Sequence, residues 1–174
     1  MNLNLPEIFT TIFDFEKYSI STFGRIRNNT SGKILEAYNR NGYKYINLKS
    51  KISKKKEGFL IHRIVLVNFL FNENPEVRCC VDHINGLKDD NRLENLRYAS
   101  KIENGQNAKL KITNKTSCKG VSYDKERKKF LAAIVYNKKK IYIGRYELLE
   151  DAKKARCKKA RELFGEFCHI SEQE

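Results

Sequence analysis

One stretch limits this chain more than any other: CCVDHINGLKDDNRLENLRYASKIENGQN, residues 79–107. Asp82 directly precedes His83, and five Asn follow within the next 24 residues. Asn is a weak helix former and is mostly found outside cores. A segment this dense in it is either a long solvated loop or a place where polar side chains are gathered to hold something. Its punctuation is regular. CCVDHI reads as a short strand, Asn85 and Gly86 form a strong turn pair, and LRYA reads as a second short strand. SKIE then supplies a capping box, with Ser100 as the cap and Glu103 reaching back, so a helix starts at Lys101 and carries Asn104. Strand, loop, strand and helix together place Asp82, His83, Asn95 and Asn104 close to one another.

Those residue types have a chemistry. A carboxylate and an amide oxygen are hard donors that suit Mg²⁺ or Mn²⁺, with water and substrate phosphate completing the shell. A neutral His beside such an ion can take a proton from water. An Asn carbonyl accepting from the other ring N–H would fix the His tautomer. On residue types alone, metal-assisted hydrolysis and an inert polar loop both remain open.

Charge narrows the partners. The 174 residues carry 35 Lys and Arg against 21 Asp and Glu, a net +14. Residues 1–70 hold net +7, residues 71–108 net −2 and residues 109–174 net +9. Two basic flanks around a slightly acidic centre fit a protein that grips phosphates and binds a cation in the middle. The longest apolar run, IVLVNFLF at 64–71, is broken by Asn68 and is far shorter than the ~20 residues of a membrane helix. The first ten residues show no basic region followed by an apolar core, so no signal peptide is read. The five Cys, at positions 79, 80, 118, 157 and 168, contain no C-x-x-C. They read as reduced thiols of an intracellular, non-secreted protein, not as a disulfide framework or a zinc site.

Outside the central stretch, YSIS, FGRIRN and GYKYINLK read as short strands. The Lys-rich run KSKISKKKEG reads as a solvated hairpin loop. Apolar spacing over FLIHRIVLVNFLF predicts a helix at 63–71, with His62 at its start as a packing or capping residue. From Gly120, GVSYD, KFLAAIVY and KIYIGRY read as three strands joined by Lys-rich turns. LLEDAKKARCKKARELFG follows as a helix with an apolar stripe of Leu149, Ala152, Ala155, Ala160, Leu163 and Phe164, stopped by Gly165. The expected fold is α+β. It comprises a small β-rich module at 1–60, a central unit at 61–108, a linker at 109–117, and a three-stranded antiparallel sheet on one helix at 118–174.

The central stretch closely resembles the core of the HNH endonucleases, in the His-Asn-Asn variant found in phage and intron homing enzymes. That resemblance implies a ββα-metal motif, with Asp82 and Asn104 as metal ligands, His83 as general base and Asn95 as the residue that orients it. It also implies Mg²⁺ or Mn²⁺, since the third motif position is Asn104 and not His. EKYSISTFGRIRN, YKYINL and IHRIVLVNFL are similar to the β-rich module that precedes the core in these enzymes. The C-terminal segment resembles the DNA-binding domain of plant APETALA/ethylene-response factors, whose sheet lies in the major groove. Alternation puts Phe130, Ala132, Ile134, Ile141 and Ile143 toward the helix. Lys119, Ser122, Lys129, Lys140, Tyr142 and Arg145 would then face DNA. The plant proteins use Trp and more Arg there; this chain has no Trp and puts Asp124 on the first strand, so no base preference carries over.

The resulting expectation is a site-selective, homing-type endonuclease acting on double-stranded DNA as a monomer or weak dimer, leaving 5′-phosphate and 3′-hydroxyl ends. A non-catalytic DNA-binding regulator that kept the scaffold is the alternative. An RNA-binding protein, with Tyr and Lys stacking on single strands, is the third reading.

Overall fold

The computed structural model describes residues 6–51, 53–110 and 113–172. Half of the N-terminal stretch read against a signal peptide (1–5), one residue of the Lys-rich run (52) and two of the expected linker (111 and 112) lie outside the described residues. The chain divides into two compact units, Met1–Lys101 and Ile102–Glu174.

In the first unit, β1 (Phe9–Ile12), β2 (Phe15–Ser21), β3 (Ile26–Asn28) and β4 (Ile34–Leu35) form an antiparallel sheet in that order. A second sheet contains β5 (Tyr38–Arg40), β6 (Tyr43–Lys49) and β7 (Lys56–Leu60). Lys49 pairs with Lys56, so the Lys-rich run between them is a hairpin connection. Helix α1 (Ile61–Phe69) starts two residues before the expected position. The strand β7 runs straight into it through Leu60, whose backbone is extended and whose side chain makes no cap hydrogen bond. No polar residue therefore marks the boundary. Strands β8 (Cys80–His83) and β9 (Leu96–Ala99) form an antiparallel ribbon, joined by a loop that ends in a 3₁₀ turn at Leu93–Asn95.

One core serves all of these elements except β5. It contains Ile12, Ile20, Ile26, Ile46 and Leu48 from the sheets, Ile61, Ile64, Val65 and Leu66 from α1, and Leu96 from β9. Each fully buried Ile, Leu or Val contributes roughly 1.5–3 kcal/mol relative to exposure. The site-bearing ribbon is thus anchored by the same apolar contacts that hold the N-terminal sheets.

Helix α2 (Lys101–Gln106) begins where the capping box predicts and spans the division between the units. In the second unit β10 (Val121–Asp124), β11 (Lys129–Tyr136) and β12 (Lys139–Tyr146) form an antiparallel meander beside α3 (Leu149–Phe164). The α+β class is the expected one. Phe130, Ala132, Ile134, Ile141 and Ile143 lie on the helix side, packed with Ala152, Ala160 and Phe164. A bulge at Ala132 and Ala133 increases the local twist. Gly120 adopts φ +69°, and a Cβ there would lie 2.1 Å from the Ala133 carbonyl oxygen, so only glycine fits. Gly165, at φ +52°, ends α3 as expected.

The helix stripe has one surprise. Arg156 is buried in its middle, 3.8 Å from Glu172, which is also buried. The partner lies 16 residues away in sequence, beyond the reach of any helical spacing rule.

Candidate active site

The β8–β9 ribbon places Asp82 and His83 at the end of one strand. Antiparallel register sets Asp82 opposite Arg97. Arg97 donates to Asp82 Oδ2 from Nε at 2.8 Å, with Nη2 2.7 Å from the same oxygen. Both side chains are largely buried, so the carboxylate is oriented by a charge-assisted contact.

His83 is buried as well. Burial pulls its imidazole below the usual histidine range; the Asn91 side chain and the charges of Asp82, Asp90 and Asp89 pull the other way without cancelling it. Two rings pack on it from the N-terminal part of the unit. His62, in the first turn of α1, stands edge-on with centroids 5.0 Å apart, and Tyr43 of β6 lies 6.0 Å away.

Asn95 does not make the expected hydrogen bond to His83. Its Oδ1 accepts from the Asn85 backbone N–H at 3.0 Å, and its Nδ2 donates to the Asp90 carbonyl at 2.8 Å. It closes the 3₁₀ turn, so its side chain points back into the loop it ends. Asn95 therefore staples the loop after His83. Asp90 adds a second staple. It accepts from Asn85 Nδ2 at 2.8 Å and from Arg92 Nε and Nη2 at 2.9 and 2.8 Å. Pairing with Arg92 holds its carboxyl at about 2, with burial opposing and Asn85 assisting.

The HNH endonuclease family matches residues 60–106, which include all of this ribbon. This chain carries an HNH endonuclease domain. The NUMOD4 motif matches residues 7–49, ahead of the HNH domain. An uncharacterised HNH endonuclease of Acanthamoeba polyphaga mimivirus is 45% identical over 97 residues, 54% of this chain and 23% of the relative. A second from the same virus is 38% identical over 100 residues, 58% of this chain and 28% of the relative. The chain thus spans about a quarter of the length of these curated relatives. A solved structure of the HNH homing endonuclease I-HmuI, described as binding and cleaving DNA, superposes with a TM-score of 0.52 and 30% identity. It covers 57% of this chain and 56% of the other.

Within the HNH domain, the structure brings Asp82, His83 and Asn95 to one ribbon and its loop. Asn104 lies half-buried on α2, among the residues of the second unit. Among the described residues no group of three His, Cys, Asp or Glu comes together to hold a metal. The expected donors, one carboxylate and one amide oxygen, suit a hard divalent cation, and Asp82 is a buried, oriented carboxylate of that kind. Arg97, Asn91 and Tyr43 were not singled out from sequence. Arg97 was accessible: pairing VDHI antiparallel with LRYA sets it against Asp82.

The second unit presents the other expected residues. Ser122, Lys140, Tyr142 and Arg145 are exposed on the sheet face away from α3. Arg145 donates to the Tyr142 hydroxyl at 3.3 Å and lies 3.6 Å from Asp124, so part of its charge is answered locally. Lys129 lies 3.5 Å from Glu147. Lys119 departs from the expected DNA-facing pattern. Its Nζ donates to the carbonyls of Gln106 and Ala108 at 3.1 and 2.9 Å and lies 3.6 Å from Glu172. It precedes the positive-φ Gly120 and so falls outside the alternation of β10. None of the five Cys is in a disulfide, and no helix among the described residues is long and apolar enough to cross a membrane.

Proposed function

We propose that this chain is a site-selective, homing-type DNA endonuclease dependent on a divalent metal ion, Mg²⁺ or Mn²⁺. The observation that carries the reading is the buried His83 beside the Arg97-oriented carboxylate of Asp82, within an HNH domain. His83 accepts the proton of a water that attacks the scissile phosphorus in line, leaving 5′-phosphate and 3′-hydroxyl ends. Asp82 and Asn104 would hold the ion, which when bound supplies positive charge to the departing 3′ oxygen. Arg97 keeps the Asp82 carboxylate pointed. Asn95 and Asp90 keep the loop after His83 fixed, so the imidazole does not drift from the water.

The basic flanks hold duplex DNA by its phosphates, which gives affinity without sequence information. The exposed sheet face of the second unit, with Ser122, Lys129, Lys140, Tyr142 and Arg145, supplies part of the readout in the manner of an APETALA/ethylene-response domain. Lys119 contributes by securing the segment before β10. One His83 per chain makes nicking by a monomer the elementary event, and double-strand cleavage then takes a second copy or a second encounter.

The test is incubation with plasmid DNA in Mg²⁺ or Mn²⁺, with and without EDTA, for wild type and His83→Ala. Nicking should depend on the ion, and His83→Ala should lower the rate by roughly 10²–10⁴-fold at unchanged DNA affinity. Robust cleavage in EDTA, or wild-type cleavage by His83→Ala, would overturn it. DNA binding with no cleavage under any condition would favour the regulator instead.

A further inference from the structure

The HNH domain holds a second histidine that the catalytic set leaves out. His62 is only 5% exposed, at the start of α1. Its ring meets His83 edge-on, at 5.0 Å and 89°. Tyr43 packs on both, 5.2 Å from His62 and 6.0 Å from His83. Lys88 in turn lies over the outer side of this group, its Nζ 4.7 Å from the Tyr43 ring centroid. Three rings from three separate segments therefore converge, and α1 and β6 supply the two that are not His83.

His62 is poorly explained as a packing residue. Its Nδ1 is buried and has no hydrogen-bond partner among the described residues. An unsatisfied buried nitrogen is unfavourable, and an aliphatic side chain of similar size would avoid it. It does not cap α1 either, since Leu60 occupies the cap position. What a flat ring offers here, and an aliphatic chain does not, is an edge that fixes the plane of its neighbour.

We infer that His62 is a positioning residue, whose ring edge, backed by Tyr43, sets the plane of the His83 imidazole. This rests on the reading of His83 as the general base. It gives the N-terminal sheets a second task besides holding DNA: through Tyr43 they complete the wall around the reacting group. Burial, with repulsion from His83 and Arg63, holds His62 at about 4. It is thus uncharged at neutral pH and places no second cation beside the base.

The experiment compares wild type, His62→Leu, His62→Phe and His83→Ala in the full chain. Single-turnover nicking and DNA affinity are measured separately, and the His83 ring is followed by NMR in metal-free protein. Misplacement by about 1 Å can cost about 10²-fold, so His62→Leu should slow turnover by about 10- to 100-fold with little change in affinity. His62→Phe, which restores a ring edge, should recover most of that loss. The His83 ring signals should shift or broaden in His62→Leu and return toward wild type in His62→Phe. Wild-type turnover with unmoved His83 signals in His62→Leu would overturn the inference. So would a folded His62→Phe as slow as His62→Leu. If His62→Leu does not fold, Tyr43→Leu removes the backing ring and carries the same expectation. If wild type cuts no DNA, the endonuclease reading fails, and the NMR comparison still decides whether His62 positions His83.

Discussion

Arg97→Ala is the most searching perturbation of the site. The guanidinium reaches Asp82 Oδ2 with two nitrogens, at 2.8 and 2.7 Å, and the two side chains are 13% and 4% exposed. At 2.7 Å and an effective dielectric of about 20, the attraction is about 6 kcal/mol. Desolvating both ions consumes much of that, so the intact pair contributes little net stability. Removing one partner is different. The carboxylate stays buried without its guanidinium, and breaking such a pair costs about 3–5 kcal/mol. That is a large share of the roughly 5–15 kcal/mol that holds a typical domain together. The assay is urea unfolding in EDTA, followed by circular dichroism, for Arg97→Ala, Asp82→Asn and Asp82→Asn with Arg97→Met. The double variant buries no charge and should regain at least ~2 kcal/mol over Arg97→Ala, within the usual range of coupling energies. If Arg97→Ala lies within about 1 kcal/mol of wild type, the pair is not a buried ion pair in the sense used above. A double variant no better than Arg97→Ala would refute the argument equally.

Asn95→Ala should destabilise the first unit by about 2–4 kcal/mol, because it strips partners from the Asn85 N–H and the Asp90 carbonyl. Cleavage should slow with DNA affinity held, and Asn95→Asp, which keeps the acceptor but loses the donor, should fall between; equal stability of Asn95→Ala and wild type excludes the staple. Asp90 carries a pH signature. Its carboxyl is depressed from 3.8 to about 2 in the folded state, so its stabilisation is complete above about pH 4 and is lost as pH falls toward 2. Acid titration of unfolding should show that loss in wild type and not in Asp90→Asn. For the second unit, Lys140→Ala with Tyr142→Ala should weaken selection of the preferred site and reduce the salt slope of log K by about 0.9, the share of one phosphate that Lys140 no longer neutralises. An unchanged slope and unchanged selectivity in a folded double variant would remove that face from the readout.

The sequence carried the ribbon and the meander well, and the reasons are local. The strands 80–83 and 96–99 are bounded by the turn pair at Asn85 and Gly86, and the capping box marks Lys101 as a helix start. Alternation separates the helix face from the exposed face up to Tyr142; the register shift that leaves Ile143 as an extra residue in β12 then brings Arg145 to the exposed face, which alternation alone does not give. Illegible features depended on partners distant in sequence or on side-chain direction. The start of α1 was hidden because Leu60 is an uncapped junction. Asn95 has the right type and spacing to touch His83, but the 3₁₀ turn aims its amide at the loop. Lys119 was grouped with Ser122 on the resemblance to the plant domains, but it lies before β10 and beyond the left-handed Gly120, outside the alternation of that strand. Arg156 breaks an otherwise apolar stripe because its carboxylate partner sits in the 3₁₀ turn at Ile170–Glu172.

The shared core of the first unit bears on how such nucleases can be recombined. Ile12, Ile20, Ile26, Ile46 and Leu48 lie in the segment matched by the NUMOD4 motif, and Ile61, Ile64, Val65, Leu66 and Leu96 lie in the segment matched by the HNH family. The two sequence families meet inside one oil drop. Cutting between them at residue 50 would strip the cover from both sets, and a graft of 60–106 alone onto a foreign targeting module would expose the apolar side of α1. A gene rearrangement that keeps the HNH domain whole therefore moves both families as one cassette, with α2 and its Asn104 included, and the segment after Gln106 is where a different module can be exchanged.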